Sequence, residues 1–306
     1  MVSPGVRQDL EVRILSLLPS ATEIVYALGL GDQLIGVTHE CDWPPEARSV
    51  RVVSHSALPP VATPAEVDRL VSASVGDGEP IYRLDVDAIR ELRPDIVLSQ
   101  DLCAVCAVPS GHVNAALDVL GCRAEVVSLD PSSVTEVLEC VRQVARAAGV
   151  EDRATALIGM LEARLAAVRA AVAGLERPRV FALEWSDPPF NGGHWVPEMI
   201  ETAGGESVLG NPGVPSARVT WQDIAHAAPD EVVFMPCGYD LDAAADEARR
   251  SLLARPELTG GLVAVHANAY FSRPGPRLVD GVEVLAAALH PGAVRTAPAG
   301  GFVRLR

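Results

Sequence analysis

The chain has 306 residues, of which 49% are hydrophobic, 21% are charged and 4% are aromatic. Its net charge is −15, because 40 acidic side chains outnumber 25 basic ones. At about 100–200 residues per domain this length predicts two domains or one large one, and the apolar content excludes a disordered chain. The acidic surplus repels phosphate backbones, so we expect no nucleic-acid partner.

The start of the chain carries no pattern that predicts export or membrane insertion. No stretch approaches the roughly 20 apolar residues that span a bilayer. The apolar run at residues 12–30 is broken by Pro19 and Glu23, and neither a basic start nor a small-residue cleavage site accompanies it. No cysteine lies near the start to carry a lipid anchor. The sequence therefore predicts a cytosolic protein whose cysteines stay reduced.

The first part of the chain alternates strand and helix signals. The pattern predicts strands at residues 13–17, 34–38, 95–99 and 124–128. It predicts helices that begin with a capping box at Ser20 and Glu23, with a second box at Thr63 and Glu66, and at residues 110–120. Residues 55–80, rich in Pro, Gly and Ser, are predicted to form an excursion from this block.

A long helical stretch follows and leads into a second block of strands and helices. An apolar stripe recurs every three or four residues from Leu157 to Val172 and predicts one helix of about 35 Å at residues 151–173. Strands are then predicted at 179–184, 231–235 and 262–266. The sequence therefore predicts an α/β protein with two Rossmann-like βα lobes, at residues 1–131 and 176–306. Their sheets are mostly parallel, and a helical connector at 132–175 joins them.

Unusual side chains concentrate after the predicted strands. In open parallel sheets, ligands bind beyond the carboxyl ends of the strands. Histidine, cysteine, tryptophan and polar residues follow the strands at residues 39–45, 100–106, 184–195, 236–239 and 268–273. We expect these loops to converge in one cleft between the lobes, where aromatic rings offer flat faces to a large ligand.

Six motifs occur in the order and spacing of one known family. They are RILSLLPSATE at residues 13–23, DWPP at 42–45, LRPDIV at 92–97, DPPF at 187–190, AGGE at 203–206 and FSRPGPR at 271–277. The chain thereby resembles periplasmic-binding proteins of the vitamin B12 and iron-siderophore type, closest to leaderless cobalamin-binding proteins. The resemblance implies the class III solute-binding-protein fold and binding of a planar or chelated ligand, most of all a corrinoid such as cobalamin. It also raises an ABC transporter permease as a partner.

The resemblance and the strand ends together nominate the ligand-binding residues. In the first lobe these are His39, Cys41, Trp43, His55, Gln100, Asp101 and Cys103. In the second lobe they are Glu184, Trp185, Phe190, His194, Trp195, Asn268, Tyr270, Phe271 and Arg273. We predict that the aromatic residues supply apolar faces and that the imidazole, amide, carboxylate and guanidinium groups orient the ligand.

The cysteines leave a second interpretation open. Cys103 and Cys106 have the spacing of half a zinc or iron–sulfur site, and Cys41 and Cys237 can supply further thiolates. A cytosolic metal–thiolate protein or metallo-enzyme that uses the same cleft is therefore the alternative to ligand binding. The cysteines can equally be small packing residues under the loops.

Catalysis by a histidine and a carboxylate is the remaining alternative. Glu184 and His194 can form an acid–base pair, but a histidine in a cleft suits stacking or axial ligation of a corrinoid equally well. The nucleotide-binding and serine-hydrolase motifs are absent from the sequence. We therefore predict binding without turnover.

Overall fold

A computed structural model describes residues 12–59, 63–76, 81–101 and 124–306. The described chain forms two compact units. The first holds the residues up to Ala57, those from 81 to Leu129, and Gln143–Glu151, and the second holds the described part of Leu58–Glu79, together with Asp130–Arg142 and Asp152–Arg306. Because compactness does not show that a unit folds by itself, the predicted division at residues 131 and 175 stays a prediction.

The described residues of the first unit form one mixed sheet. Its strands are β1 (Ile14–Ser16), β2 (Leu34–Thr38), β3 (Val52–Ser56), β4 (Tyr82–Leu84), β5 (Ile96–Ser99) and β6 (Glu125–Ser128). They lie in the order β4-β3-β2-β1-β5-β6, and every neighbouring pair is parallel except β3 and β4. The central strands β1 and β5 are wholly buried, as expected for a parallel sheet covered on both faces.

The helices that follow these strands are α1 (Pro19–Ala27), α2 (Pro64–Gly76) and α3 (Val86–Leu92). The capping box predicted at Ser20 and Glu23 is wrong, because Pro19 starts the helix and both residues are buried inside it. The fixed φ of proline suits the first helical position, so the helix begins before Ser20. The box at Thr63 and Glu66 is confirmed, because the Thr63 hydroxyl group accepts from the Glu66 N–H at 3.3 Å and the Glu66 carboxylate accepts from the Thr63 N–H at 3.2 Å. The helix predicted at 110–120 lies outside the described residues.

The second unit contains a second mixed sheet. Its strands are β7 (Arg179–Ser186), β8 (Pro189–Asn191), β9 (Glu206–Ser207), β10 (Glu231–Phe234), β11 (Gly261–Val265) and β12 (Phe302–Arg304). They lie in the order β12-β11-β10-β7-β8, with β9 pairing with β7. The pairs of β7 with β9, β7 with β10, and β10 with β11 are parallel. The predicted pair of βα lobes with mostly parallel sheets is confirmed.

The helices of the C-terminal half are listed here in chain order. They are α4 (Val134–Ala147), α5 (Glu151–Val172), α6 (Val196–Thr202), α7 (Trp221–Ala227), α8 (Leu241–Ser251), α9 (Ala267–Tyr270) and α10 (Leu278–Leu289). The capping box of Thr220 and Asp223 opens α7. Across the described ranges, no helix is both long enough and apolar enough to cross a bilayer.

The long helix α5 has the predicted bounds to within one residue, and its predicted apolar stripe faces the core. The predicted stripe, including Leu157, Leu161 and Leu165, is buried. At the edge of this stripe, the Arg164 guanidinium donates to Glu283 of α10 at 2.8 and 3.0 Å and also pairs with Asp280. The hydrogen bond with Glu283 raises the pKa of Arg164 further above its ordinary value. These ion pairs attach α5 to α10.

Candidate functional site

The first unit presents exposed rings where β2 and β3 end. His39 follows β2 and His55 lies in β3, with their rings stacked and the ring centroids 6.3 Å apart. Tyr82, which begins β4, has its ring centroid 6.0 Å from that of His39, and its hydroxyl group donates to Glu40 at 3.4 Å. We call His39, His55 and Tyr82 the imidazole face. It combines aromatic surface with groups that donate and accept hydrogen bonds.

A backbone contact fixes the tautomer of His39. Its Nδ1 atom lies 3.0 Å from the Ser54 carbonyl oxygen and 3.3 Å from the Thr38 hydroxyl group. Because a carbonyl oxygen only accepts, Nδ1 carries the proton, and in the neutral ring Nε2 keeps its lone pair. Metal-ligating histidines are oriented by the same kind of bond. His39 can therefore accept a hydrogen bond or ligate a metal through Nε2.

Buried hydroxyl groups occupy the carboxyl ends of the strands in this unit. We call Ser16, Thr22, Thr38 and Ser54 the hydroxyl floor. Thr22 donates to Ser16 at 2.9 Å, Ser16 donates to the Leu18 carbonyl oxygen at 2.9 Å, and Ser54 donates to Thr38 at 3.1 Å. A buried hydroxyl group is costly unless it is hydrogen-bonded. These bonds fix α1 against the end of β1, and β3 against the end of β2.

Two predicted residues of the loop after β2 have opposite environments. Cys41 is 5% exposed, and its Sγ atom lies 3.0 Å from the Thr22 hydroxyl group. Trp43 is 45% exposed, which makes it a large apolar side chain open to solvent. The indole can thus contact a ligand, whereas the thiol packs against the hydroxyl floor.

The loop after β5 is described only at its start. Gln100 is buried, and its side-chain amide donates to the Leu129 carbonyl oxygen at 2.9 Å. Asp101 is exposed and accepts a bond from the Ser128 hydroxyl group at 3.2 Å. Gln100 therefore ties β5 to the end of β6, while the Asp101 carboxylate reaches solvent. Cys103 and Cys106 lie outside the described residues.

The second unit presents aromatic rings where β7 and β10 end. Trp185 of β7 lies opposite Phe190 of β8, so the two side chains are cross-strand neighbours. The Tyr239 ring meets the Trp185 ring edge-on, with centroids 6.0 Å apart. We call Trp185, Phe190 and Tyr239 the aromatic face. All three side chains are half-buried, and burial raises the pKa of Tyr239, which keeps its phenol neutral.

A carboxylate organises the loop that carries His194. Glu184 accepts a bond from the Gly193 backbone N–H at 3.2 Å and another from the Ser216 hydroxyl group. Only glycine fits at 193, because a Cβ atom there would lie 2.1 Å from the Ser216 backbone nitrogen. His194 adopts a φ of 51°, and burial lowers its pKa. Glu184 thus serves as a loop anchor, and the half-buried imidazole is biased towards its neutral form.

Three other predicted residues of the second unit lie in its interior. Trp195 is 7% exposed, and its Nε1–H group donates to the carbonyl oxygen of Phe271 at 2.8 Å. Phe271 itself is 2% exposed, and Arg273 is 8% exposed. These residues lie in the core of the unit, and their side chains present little surface to a ligand.

The turn after β11 brings polar and aromatic groups together. His266 caps α9 through a bond that it accepts from the Ala269 N–H, and its ring meets the Tyr270 ring edge-on at 5.7 Å. Arg277 lies 5.7 Å from the centroid of the same tyrosine ring. The Asn268 backbone N–H donates to the Tyr239 carbonyl oxygen at 3.0 Å, which links this turn to the aromatic face.

The sequence did not nominate two residues of these faces, Tyr239 and Tyr82, or Arg218, which lies beside the aromatic face. Tyr239 stands in a loop that the strand-end rule already marks, so a signal for it was present in the sequence. Tyr82 begins a three-residue strand that no alternating pattern marks. Arg218 lies 5.6 Å from the centroid of the Phe190 ring, in a segment far from any predicted strand end.

The described residues give no support to the metal–thiolate alternative. The described ranges contain no group of three or more His, Cys, Asp or Glu side chains placed to hold a metal ion. Of the four cysteines in that hypothesis, Cys41 is buried and Cys237 is exposed, while Cys103 and Cys106 lie outside the described residues.

Each of the two faces lies at the carboxyl ends of strands in a βα unit, which is where open parallel sheets bind ligands. The chain belongs to the periplasmic binding protein family, whose sequence profile matches residues 14–269. This membership confirms the recognised family and the class III binding-protein fold. It also agrees with the prediction of binding without catalysis, because the family consists of binding proteins.

Relatives and solved structures agree with this assignment. The chain is 25% identical to an uncharacterised ABC transporter substrate-binding lipoprotein, YvrC, of Bacillus subtilis, over 91% of this chain and 80% of the relative. It is 23% identical to a vitamin B12-binding protein of Pectobacterium atrosepticum, over 87% and 84%. The apo periplasmic heme-binding protein RhuT of Roseiflexus sp. RS-1 shares the fold with a TM-score of 0.67 and 22% identity, over 92% of this chain and 99% of RhuT.

The prediction of a cytosolic location is wrong. The family is one of periplasmic binding proteins, and the Bacillus relative is named a lipoprotein, which points to a place outside the cytoplasm. The physical reason is that a targeting segment takes no part in the mature fold. The residues that form the lobes therefore carry no information about export.

Proposed function

We propose that this protein is the substrate-binding component of an ABC importer and that its substrate is a cobalamin-like corrinoid. The corrinoid is the finer part of the proposal, and a relative named as a vitamin B12-binding protein supports it. The importer permease would be the protein partner. The predicted cleft, in which the imidazole face and the aromatic face meet the same ligand, is part of this proposal.

The observation that carries the proposal is the aromatic face of a periplasmic binding protein. Trp185 and Tyr239 meet edge-on at the carboxyl ends of the neighbouring strands β7 and β10. Half-buried indole and phenol rings lose little conformational freedom when a ligand covers them, and they offer broad apolar area. A corrin ring is a large, flat macrocycle with polar amides at its rim, which suits rings flanked by hydrogen-bonding groups.

The imidazole face supplies a complementary contact. His39 holds its Nδ1 proton against the Ser54 carbonyl oxygen, so in the neutral ring its Nε2 lone pair is available to a ligand amide or to a coordinated metal. Exposed Trp43 adds apolar surface in the same unit. Polar recognition by the first unit and apolar recognition by the second would together select an amphipathic macrocycle.

The test is a spectroscopic titration with cyanocobalamin. We expect saturable binding by the wild type and a loss of about three- to tenfold in affinity for Tyr239→Leu, because the leucine removes the edge-on aromatic contact. Tyr26→Leu is the matched control, since Tyr26 is a half-buried tyrosine of α1 outside both faces. Wild-type protein that leaves the cobalamin spectrum unchanged at high micromolar concentration would contradict the corrinoid proposal.

Heme is the second candidate substrate, favoured by the exposed and oriented imidazole of His39. Histidine nitrogen is a usual axial ligand of heme iron. If heme is the substrate, hemin should bind more tightly than cyanocobalamin, and His39→Ala should remove the absorption signature of histidine ligation. Hemin binding whose spectrum is unchanged in that variant would exclude this role of His39.

A further inference from the structure

One helix of the second unit comes from the chain between two strands of the first. The segment Leu58–Glu79 begins after β3, returns before β4, and its described part belongs to the second unit. It carries α2, which is opened by the capping box of Thr63 and Glu66. We call its described residues 63–76 the strap.

The side chains of Trp185 and Arg218 hold the strap through hydrogen bonds. The Trp185 Nε1–H group donates to the Pro64 carbonyl oxygen at 3.2 Å. One turn further along α2, the Arg218 guanidinium donates to the two carboxylate oxygens of Asp68 at 3.0 and 2.9 Å. The first bond uses a polar group of the strap backbone, and the second is an ion pair.

The two side chains that hold the strap belong to the aromatic face or lie directly against it. Trp185 is one of its rings, and Arg218 lies 5.6 Å from the centroid of the Phe190 ring. Phe190 and Arg218 also form an isolated backbone bridge, which fixes the arginine beside that ring. A ligand that lies flat on Phe190 must therefore displace Arg218, which Asp68 of the strap holds beside that ring.

We propose that the strap competes with the ligand for the aromatic face, and that the Asp68–Arg218 ion pair sets ligand affinity by holding the strap in place. This inference rests on the proposed function. The Asp68 side chain is 21% exposed and that of Arg218 is 56% exposed. Pairs this open to water are individually weak and sensitive to salt, so this contact can open without unfolding of the unit.

The strap also gives a basis for ligand selection. A ligand with a broad apolar face gains enough contact area to displace the strap, whereas a small solute covers too little of the face to do so. The ion pair thereby raises the contact area that a ligand needs in order to bind, and large planar ligands are favoured over small ones.

The test compares Asp68→Asn with a matched control, Asp246→Asn. Asp246 pairs with Arg249 at 2.8 Å on the exposed face of α8 and lies outside both faces, so its substitution makes the same change of charge. Amide hydrogen exchange of residues 64–76 is measured for each protein without and with cyanocobalamin. Affinity for cyanocobalamin is measured at low and high ionic strength.

We expect faster exchange in α2 for Asp68→Asn and an affinity about two- to fivefold higher than that of the wild type, with no change in the control. High ionic strength should bring the wild type close to the variant, because salt weakens the same ion pair. Cyanocobalamin should accelerate exchange of the α2 amides in the wild type. Each of these results supports competition between strap and ligand.

Equal or weaker cyanocobalamin binding by Asp68→Asn, or slower α2 exchange when cyanocobalamin binds, would overturn the proposal, because the strap would then be part of the ligand's own surface. If neither cyanocobalamin nor hemin binds any of the three proteins, the proposed function fails, and the competition fails with it. Exchange in the unliganded proteins separates this outcome from the others, because faster α2 exchange in Asp68→Asn shows that the ion pair holds the strap whatever the substrate.

Discussion

The two units support their proposed binding surfaces in different ways. In the first unit, the imidazole face lies at strand ends that the hydroxyl floor ties together, as in the bond from Ser54 to Thr38 at 3.1 Å. In the second unit, two aromatic residues are buried in the core, and the Trp195 indole donates to the Phe271 carbonyl oxygen at 2.8 Å. The first unit thus relies on hydrogen bonds between short side chains, and the second unit relies on the burial of large rings.

This difference teaches which kind of recognition each unit can provide. Hydrogen bonds between short side chains fix positions and tautomers, as His39 shows, so the first unit is suited to recognising individual polar atoms. Packed rings fix a surface but no particular atom, so the second unit is suited to contact area. Substitutions that remove these two kinds of support should therefore lower the free energy of unfolding by different amounts.

The largest effect is expected for Trp195→Ala, which removes the packed support of the second unit. Deleting a buried tryptophan leaves a cavity, so we expect a loss of about 3–5 kcal/mol in the free energy of unfolding, measured by urea denaturation. Trp195→Phe is the control, because it keeps a ring and loses the bond to the Phe271 carbonyl oxygen, for about 1 kcal/mol. Losses of the same size in both variants would show that the hydrogen bond matters more than the packing.

A smaller effect is expected for Thr22→Val in the hydroxyl floor. The substitution keeps the shape of the side chain but removes the donor to Ser16 and the contact with the Cys41 thiol, so we expect a loss of about 1–2 kcal/mol. Thr135→Val on the exposed surface of α4 is the control and should stay within about 0.5 kcal/mol of the wild type. A neutral Thr22→Val would mean that the floor is supported by packing, as in the second unit.

The smallest effect concerns His194, the half-buried imidazole of the second unit. Burial lowers its pKa below the ordinary 6.5, so below about pH 6.5 the unfolded chain binds more protons than the folded one. Stability should therefore fall as the pH drops through this window, and it should fall less in His194→Asn, since asparagine tolerates the φ of 51°. Urea midpoints at pH 7.5 and 5.5 measure the difference. Equal losses in both proteins would remove burial of His194 as a source of pH sensitivity.

Much of the fold was predictable because its central strands are continuous apolar runs. The strand Leu34–Thr38 has the predicted bounds, and the predicted α5 differs from the observed one by a single residue at its end. Strands β4, β8 and β12 were not predictable, because three-residue antiparallel strands are too short to show an alternating pattern. Ser20 misled the prediction of a helix start because the preceding proline begins the helix.

The sequence predicted which loops contribute to the candidate site, but it did not predict which of their side chains are exposed and which are buried. Trp185 and Trp195 are both tryptophans that follow a polar residue in the same segment, yet one is half-buried on a face and the other lies in the core. Burial depends on which strands and helices pack against a residue, and local sequence does not specify those contacts. The pairing of Asp68 with Arg218 joins residues 150 positions apart and has no local signal at all.

The ion pair between Arg164 and Glu283 fixes the position of α5 along its helix axis. The Glu283 carboxylate is only 2% exposed, so it depends on the guanidinium as its counter-ion. Sliding α5 by one turn would carry the arginine about 5.4 Å away and strand a buried negative charge, at a cost of about 3–5 kcal/mol. This helix of 22 residues can therefore tilt or bend, but the ion pair prevents it from sliding along its own axis. The register of α5 against α10 is therefore fixed by this ion pair.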